Sequence, residues 1–253
     1  MALYDELALG RRELSAIFRS SPPRTLKAGG ELLVTSAGSS YGIYHLRAGW
    51  ACQFRDLADG RRAIVDVYLA GDVIGLDTVL GTRPLAKILT LTALTIEAIP
   101  AEDALMKLMA DPPTALYIAW LLGQRQRRTD RLRAAISCLD ARGRLAMMLL
   151  DLYKRLRRLG LISGSIYNLP LTQIQIGQYL GLTVMHISRV LRALRDEQIV
   201  NLEKHCVTIL DLKRLAILAR YGGIRSSSGS GGERGSKNRP TRPHRREGID
   251  GRR

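Results

Sequence analysis

The sequence predicts an α+β protein in which an antiparallel β-domain precedes a mainly helical C-terminal half. Short apolar runs separated by glycines occupy residues 23–100, and strands this short and regularly spaced are typical of an antiparallel roll or barrel. A heptad pattern then predicts one long helix over residues 113–139. Two short helices with capping signals flank a glycine turn in residues 171–197, and a hairpin pattern follows them.

The chain is strongly basic. Its 253 residues include 39 Lys and Arg against 23 Asp and Glu, which gives a formal net charge of +16. Such a balance favours a polyanionic partner. No apolar run approaches the roughly 18 residues of a membrane span, and the N-terminus carries Asp5 and Glu6 instead of an apolar signal sequence. We therefore expect a cytoplasmic protein.

Residues 1–22 are expected to form a short helical arm with four apolar contacts, Leu3, Leu7, Leu14 and Phe18. Residues 23–112 are expected to form the β-domain. Asp59-Gly60 lies between two apolar runs and is a strong signal for a tight hairpin. The predicted strands are Leu32–Thr35, Gly42–Arg47, Trp50–Phe54, Arg62–Leu69 and Lys87–Ile99.

Residues 113–139 are expected to form a dimerisation helix. Residues recur there at alternating spacings of four and three, which is the seam by which two helices pair as a coiled coil. Arg125 and Thr129 are polar interruptions that can fix the register of a pair or meet a ligand. A core helix lying on the β-domain would show a similar stripe, so that alternative stays open. The seam comprises Ile118, Leu122, Arg125, Thr129, Leu132, Ile136 and Leu139.

Residues 140–221 are expected to form a separate helical domain. Asp140 begins its first helix, and Gly160 ends that helix. Four cations near the helix end complement the helix dipole; we interpret them as an ordinary solvated helix end. They are Lys154, Arg155, Arg157 and Arg158.

The same domain carries the signals of a helix-turn-helix. Thr172 followed three residues later by Gln175 is a capping box, which begins a helix. Gly177 falls where a second helix can approach closely, and Gly181 supplies the turn. Thr183 then caps the second helix. An ordinary αα-hairpin would satisfy these signals as well.

The second helix has one apolar face and one outward face. Its apolar residues recur at i, i+3, i+4 and i+7, namely Ile187, Val190, Leu191 and Leu194. A short hairpin pattern over residues 199–209 predicts a wing, which favours a winged helix over a simple αα-hairpin. In a helix-turn-helix, the N-terminal part of the second helix enters the major groove of DNA. The outward residues there are Val184, Met185, Ser188, Arg189 and Arg192.

On these residues the chain resembles the CRP/FNR superfamily of bacterial transcription regulators. The resemblance extends weakly upstream to about Pro23 and ends near Ala219. It implies a cyclic-nucleotide-binding-like β-roll, a long dimerisation helix and a C-terminal winged helix. It also implies a homodimer on a pseudo-palindromic DNA site, with RNA polymerase as a further partner. The family pattern LTxxxIGxxLGLTxxxISRxLxxL is matched at Leu171, Thr172, Ile176, Gly177, Leu180, Gly181, Leu182, Thr183, Ile187, Ser188, Arg189, Leu191 and Leu194.

Arg189 is the first candidate for reading a base, because a bidentate arginine–guanine pair is the commonest specific contact, and the resemblance implies the same role. Met185 stands where several family members carry a base-reading glutamate, so we expect a changed half-site preference and contact with a thymine methyl group. Ser188 can contact a base edge or a phosphate, and His186 can donate to either. The candidates for positioning phosphates are Thr172, Gln173, Thr183 and Arg192.

The resemblance does not extend to the phosphate cassette for cyclic nucleotides. Gly71–Gly75 match the approach to it, but Leu76 replaces its glutamate and Pro84-Leu85 its Arg-Ser pair. Without that guanidinium, the main charge-assisted contact is missing. Thr129 matches a family residue that reaches the purine, whereas Asp130 replaces its neighbouring serine and would repel an anion. We expect no classical control by cyclic AMP, no cofactor, and an effector that the sequence does not identify.

The three cysteines, Cys52, Cys138 and Cys206, are scattered and form no zinc or iron–sulfur spacing. We expect reduced thiols, two or three of them packed as small hydrophobic residues. Residues 1–30 contain no cysteine, which excludes the iron–sulfur cluster of the oxygen-sensing branch of the family. We expect no metal. The sequence shows no nucleophile, base and acid grouped as in an active site, so we do not expect an enzyme.

Residues 222–253 are expected to be a disordered basic tail, because their two isoleucines cannot offset the entropy of ordering. Two other functions stay open. A cyclic-nucleotide-responsive effector module would place the function in the roll, but the cassette is missing. A nonspecific basic DNA-binding protein would bind through the tail.

Overall fold

Eight short strands follow the first helix within residues 2–32, 42–76 and 87–220, the part of the chain that this computed structural model describes. The strands are β1 (Arg24–Leu26), β2 (Glu31–Leu32), β3 (Gly42–Ala48), β4 (Ala51–Asp56), β5 (Arg62–Tyr68), β6 (Val73–Ile74), β7 (Lys87–Thr90) and β8 (Leu94–Pro100). They form two four-stranded antiparallel sheets, ordered β1-β8-β3-β6 and β2-β7-β4-β5. The predicted antiparallel β-domain is confirmed.

One apolar core joins the two sheets. Leu46 of β3 and Ile96 of β8 enter it from the first sheet, and Ala51 of β4 and Ile88 of β7 enter it from the second. All four side chains are almost completely buried. Because both sheets supply one cluster, they face each other as the two walls of a roll.

Local turn chemistry fixes part of this topology. The hairpin predicted at Asp59-Gly60 joins β4 to β5, and Gly60 adopts φ 81° there. The single predicted run Lys87–Ile99 is divided into β7 and β8 by a bend at residues 91–93. Strands β1 and β6 were not predicted, because two or three residues are too short to show alternation. The predicted strand Leu32–Thr35 overlaps β2, and its residues 33–35 lie outside the described residues.

Helix α1 (Ala2–Arg19) packs along the N-terminal half of a long helix, α3 (Pro112–Cys138). Leu14 and Phe18 are buried against this helix and the first sheet. Leu3, which was expected to make an apolar contact, is 58% exposed. The two helices approach so closely that a Cβ atom on Gly10 would lie 2.0 Å from the Pro113 carbonyl oxygen.

Helix α3 begins at a strong N-terminal signal. The Asp111 carboxylate accepts hydrogen bonds from the backbone N–H and the hydroxyl of Thr114. Proline occupies the first two helical positions, where no backbone donor is needed. A short helix, α2 (Ala101–Ala110), precedes it. This helix was not predicted, because its residues were grouped with the end of the β-domain.

Helix α3 uses most of the expected dimerisation stripe within its own chain. Ile118 is 6% exposed and packs with α1, and Leu132 is 8% exposed in the C-terminal core. Leu122 and Leu139 are partly buried against the same two cores, whereas Ile136 is 38% exposed. Much of this stripe is therefore a face by which α3 lies on the rest of its own chain, and its role in dimerisation stays a prediction.

The polar members of the stripe belong to a buried network around Asp66 of β5. The Asp66 carboxylate lies 3.4 Å from Nε of Arg125 and 3.4 Å from Nη2 of Arg128. Arg125 also donates to Gln53, and the Thr129 hydroxyl donates to the Arg125 carbonyl. Burial acts to lower the pKa of Arg128, but Asp66 and nearby carboxylates outweigh it, so this pKa is raised. The arginines therefore enter the roll as charged groups.

Helix α4 (Ala141–Arg158) is tied to the β-domain at its C-terminal end. Nη1 of Arg155 donates to the Val67 carbonyl at 2.9 Å, and its Nη2 lies 2.6 Å from the Asp72 carboxylate. The interpretation of Arg155 as part of a solvated helix end was therefore wrong. The reason is that Asp72 follows β5 and cannot be placed next to α4 from local sequence.

The remaining elements form the C-terminal domain. They are β9 (Ile166–Asn168), α5 (Gln173–Leu180), α6 (Val184–Asp196), β10 (Val200–Glu203), β11 (Cys206–Ile209) and α7 (Leu212–Leu218). Their buried residues form one cluster with α4 and with residues of β4 and β5. None of the helices in the described residues is long and apolar enough to cross a membrane.

The Asp66 network leads to a stability prediction. Replacing Asp66→Asn keeps the shape of the side chain but removes the counter-charge of two guanidinium groups. We expect the free energy of unfolding to fall by about 2–3 kcal/mol, near the lower limit for breaking a buried ion pair, because both arginines stay partly exposed. Urea denaturation measures this change. Asp59→Asn, at an exposed hairpin position, is the matched control, and equal losses in the two variants would contradict the role of Asp66.

Candidate nucleic-acid interface

Helix α5 begins at the predicted capping box. Oγ1 of Thr172 accepts the Gln175 backbone N–H at 3.2 Å, and Oε1 of Gln175 accepts the Thr172 backbone N–H at 2.8 Å. These reciprocal bonds satisfy backbone donors that the first helical turn leaves free. Ile176 and Leu180 are fully buried and hold the helix on the domain core.

The turn between α5 and α6 depends on two glycines. Gly181 ends α5 in the left-handed region, with φ 66° and ψ 39°. Gly177 lies under the turn, where an added Cβ atom would be 2.5 Å from the Leu182 carbonyl oxygen. The Leu182 N–H donates back to the Gly177 carbonyl at 3.0 Å. The close approach predicted at Gly177 is therefore confirmed, and it is an approach of backbone to backbone.

Helix α6 begins at its own cap and buries one face. Oγ1 of Thr183 accepts the His186 backbone N–H at 3.3 Å. Ile187 and Leu194 are fully buried, and Val190 and Leu191 pack against the core more loosely. The apolar spacing in the sequence predicted this buried face. The residues on the opposite side of α6 therefore face outward.

The predicted base-reading residues lie on the outward face of α6. Met185 is 75% exposed, and His186, Arg189 and Arg192 are also exposed. Within the described part of the chain, neither Arg189 nor Arg192 makes a side-chain hydrogen bond or ion pair. Their guanidinium groups are consequently available to an acceptor outside the chain.

Four of the other predicted residues bond to one another. Oγ of Ser188 donates to Oε1 of Gln173 at 2.5 Å, which links α6 to the start of α5. Nδ1 of His186 lies 2.9 Å from Oγ1 of Thr183. Thr172, Gln173 and Thr183 are all exposed on the same side as these contacts. The pairs orient polar side chains at the N-terminal ends of both helices.

The wing adds a basic tip that the sequence analysis did not assign to the interface. Strand β11 lies between β10 and β9 in an antiparallel sheet. Lys204 and His205 form the turn between β10 and β11 with φ 46° and 66°, and Lys204 is exposed. The signal was a basic residue at a hairpin tip directly after the helix-turn-helix. Strand β9 was also missed, because its partner β11 lies about 40 residues away.

The C-terminal end of α6 is held by ion pairs that no local spacing reveals. The Glu197 carboxylate binds Arg142 of α4 and lies 3.1 Å from Nη2 of Arg214 of α7. Arg214 also donates to the Glu197 carbonyl at 3.0 Å. These contacts fix α6 relative to the helices on either side of it.

The cysteines lie in two kinds of environment. Cys52 is buried in the roll, and burial raises the pKa of its thiol to about 12. Cys138 and Cys206 are exposed, so the expectation that two or three cysteines are packed is wrong. Both lie at the ends of elements, Cys138 at the end of α3 and Cys206 at the start of β11. In the described ranges, no group of three or more His, Cys, Asp or Glu residues could hold a metal ion.

Gly71–Leu76, Thr129 and Asp130, which were compared with the family's nucleotide site, are described. Leu76 is 3% exposed and packs with α1 residues in an apolar cluster. Thr129 bonds to the carbonyl of Arg125. Residues 84 and 85 lie outside the described residues.

Comparison with known proteins agrees with this geometry. Residues 143–218 match the family model of the Crp-like helix-turn-helix domain. The chain is 29% identical over 192 residues to the fumarate and nitrate reduction regulatory protein of Vibrio cholerae, covering 75% of this chain and 76% of that protein. It is 24% identical over 175 residues to the transcriptional regulatory protein Btr of Bordetella pertussis, covering 68% and 71%.

Solved structures share the fold. FixK2 of Bradyrhizobium japonicum gives a TM-score of 0.70 at 22% identity, covering 78% of this chain and 96% of that chain. A putative CRP/FNR-family regulator of Eubacterium rectale gives a TM-score of 0.59 at 22% identity, covering 87% and 98%.

A β-roll, a long helix and a winged helix-turn-helix with an exposed second helix define a DNA-binding transcription regulator. The C-terminal domain is a Crp-like helix-turn-helix domain. Over about three quarters of its length, the chain is similar to transcription regulators of the CRP/FNR type.

The turn geometry predicts a specific effect of Gly177→Ala. The added methyl group would lie 2.5 Å from a backbone oxygen, so the turn must shift. We expect a loss of about 1–3 kcal/mol in the free energy of unfolding, together with weaker DNA binding because α6 is displaced. Thermal denaturation and a DNA-binding titration measure the two effects. Gly164→Ala, where a Cβ atom meets nothing within 4 Å, is the control. Unchanged stability of Gly177→Ala would refute the close approach.

Proposed function

We propose that this chain regulates transcription as a homodimer that reads a pseudo-palindromic DNA site through α6. The proposal is supported chiefly by Arg189 in the first half of α6. Its side chain is exposed and has no partner in the described part of the chain. This end of the second helix enters the major groove in helix-turn-helix proteins, and dimers place their half-sites about one helical turn apart. The relatives that the chain matches are bacterial transcription regulators.

Each outward residue of α6 has a chemically distinct role in this proposal. Arg189 binds O6 and N7 of one guanine in each half-site. Met185 cannot accept a hydrogen bond from cytosine N4, so it contacts a thymine methyl group instead. Ser188 exchanges its bond to Gln173 for a base edge or a phosphate, and His186 donates to the same region.

Contacts to phosphates set the register of α6 on the duplex. Thr172 and Gln173 at the start of α5 and Thr183 at the start of α6 present polar groups beside free backbone donors of two helix N-termini. Arg192 reaches a phosphate one turn along α6. Lys204 at the wing tip binds the backbone on the other side of the domain. These contacts give affinity without reading sequence.

The exposed side of α3 is the surface that we assign to the homodimer. On the opposite side of the helix, a second series of residues is exposed at spacings of four and three. Its residues are small or charged, which allows two helices to approach closely and pair Arg127 with Asp130 of the partner. The series comprises Gly123, Arg127, Asp130, Ala134 and Ser137.

The proposal also places the protein in the bacterial cytoplasm with RNA polymerase as a second partner, as its relatives' role in transcription suggests. Selection of duplexes from a random pool by the full chain, with and without cell extract, tests the function. Enrichment of two inverted half-sites centred about 10 base pairs apart supports it. Failure to enrich any sequence under both conditions would overturn it, and enrichment only with extract would show that a ligand is needed.

Arg189→Ala is expected to reduce affinity for the selected site by about 1–3 kcal/mol and to relax the preference at one base pair per half-site. The cause is the loss of a bidentate base contact, which a random duplex does not offer. Fluorescence anisotropy on selected and random duplexes measures both affinities. Arg195→Ala, near the C-terminal end of the same helix, is the charge-matched control. Equal losses of Arg189→Ala on the two duplexes would contradict base reading.

Ala134→Glu is expected to weaken the homodimer at least tenfold, because two carboxylates would face each other across the exposed side of α3. Sedimentation velocity at micromolar concentration measures the mass. Ala58→Glu in the exposed β4–β5 hairpin is the control and should leave the dimer intact. A wild-type monomer would overturn the homodimer, and an intact Ala134→Glu dimer would overturn this choice of surface.

A further inference from the structure

A cleft of about 650 Å³ opens where α1, β3, α3 and the end of α4 meet. Side chains alternate between the two faces of β3. Tyr44 and Leu46 pack on the core inside the roll, whereas the His45 ring lies 5.3 Å from the Phe18 ring of α1. The cleft therefore lies outside the roll, against the outer face of its first sheet. Its volume is in the range of small-molecule sites.

Arginine dominates the lining of this cleft. Asp72 is the one acidic residue among the lining residues that the structure describes. Two further carboxylates lie behind the lining: Asp66, shared by two arginines, and Glu97, which lies 3.8 Å from one arginine. Positive charge thus exceeds the negative charge that faces it. The lining arginines are Arg11, Arg47, Arg125, Arg128, Arg155 and Arg158.

Several guanidinium donors in the cleft have no acceptor. Arg11 makes no ion pair within the described residues, and Arg158 bonds through Nε to the Lys154 carbonyl at 3.3 Å but faces no carboxylate there. The buried Nε of Arg128 has no hydrogen-bond partner. A buried donor without an acceptor is unfavourable, and an anion is the acceptor that guanidinium groups bind most strongly.

One wall of the cleft is flat and apolar. The rings of Tyr117 and Trp120 are stacked, with centroids 5.6 Å apart and an interplanar angle of 15°. Trp120 is 43% exposed, so part of its ring is open to a second flat group. A ligand that fills the cleft therefore needs an apolar plane as well as negative charge.

We propose that this cleft binds a small organic polyanion, a molecule with two or more negative charges on phosphate or carboxylate groups and a planar ring. Its acidic groups pair with the exposed guanidinium groups of Arg11 and Arg158. Its ring lies against Trp120. This site borders the Asp66 network, because Arg125 and Arg128 line the cleft and also pair with Asp66.

The cleft also connects the two parts of the chain that a regulator must couple. Arg11 belongs to α1, and Arg155 and Arg158 belong to α4, which packs directly against α6. A polyanion in the cleft competes with Asp72 for Arg155 and so alters the contact that ties α4 to the roll. This consequence, unlike the binding site itself, rests on the proposed function.

Calorimetric titration of the full chain without DNA tests the site, with adenosine 5′-diphosphate as a probe that carries both a planar ring and a diphosphate. Pyrophosphate, which has only the diphosphate, and adenosine, which has only the ring, are the control ligands. We expect the intact probe to bind at least tenfold more tightly than either control ligand. Trp120→Ala should remove that advantage and leave the affinity for pyrophosphate within twofold. Absence of binding by both the probe and pyrophosphate would overturn the site.

Charge-matched double variants locate the binding. Arg11→Ala with Arg158→Ala should weaken the probe at least tenfold, whereas Arg12→Ala with Arg157→Ala, on the same helices but outside the lining, should change it less than twofold. Equal losses in the two double variants would show general charge attraction and overturn the site. Arg189→Ala should bind the probe with unchanged affinity, because Arg189 does not line the cleft. Loss of DNA recognition can therefore be distinguished from loss of binding in the cleft.

Anisotropy titrations on the selected duplex test the coupling. A saturating probe should change the affinity for DNA at least threefold, and DNA should change the affinity for the probe by the same factor. An unchanged DNA affinity, with the probe bound, would overturn the coupling through Arg155.

Discussion

Contact between the backbone of α5 and the turn that follows it is the constraint on which the DNA-binding surface depends. At Gly177 the Leu182 carbonyl oxygen occupies the space of a side chain, so α6 leaves the turn at a fixed position over α5. That position lets Ile187 and Leu194 reach the domain core. Because a helix that buries one face must present the other, Met185 and Arg189 then point away from the protein. The outward position of Met185 and Arg189 therefore depends on the absence of a Cβ atom at Gly177.

The two ends of α6 are held by different forces. At its N-terminal end, hydrogen bonds from Thr183 and between Ser188 and Gln173 orient short polar groups that can exchange one partner for another. At its C-terminal end, Glu197 is held between two arginines on α4 and α7. Helix α4 is in turn tied to the roll through Arg155. The N-terminal part of α6, which we propose meets DNA, is therefore held by exchangeable hydrogen bonds, whereas its C-terminal end is held by ion pairs.

The helix-turn-helix could be predicted from the sequence almost residue by residue, because its caps, its glycines and its apolar period lie within about 25 neighbouring residues. Contacts between distant residues could not be predicted. The pair Arg155–Asp72 spans 83 residues, and nothing near Arg155 distinguishes it from a solvated arginine. The stripe on α3 shows a third limit: a heptad pattern identifies the apolar side of a helix but not what covers it. Here Ile118 and Leu132 are covered by the same chain.

Charge is distributed unequally between the inside and the outside of the roll. Inside, Arg125 and Arg128 meet Asp66, and Gln53 accepts from Arg125, so the donors that enter from α3 face acceptors already present in the chain. An anion that entered the roll would be repelled by the Asp66 carboxylate and would have to displace it from the two arginines. On the outer face of the sheet, Arg11, Arg47, Arg155 and Arg158 outnumber the carboxylates of Asp72 and Glu97. Electrostatics alone therefore favours recognition of an anionic effector outside the roll, beside the helix that carries the DNA-binding domain.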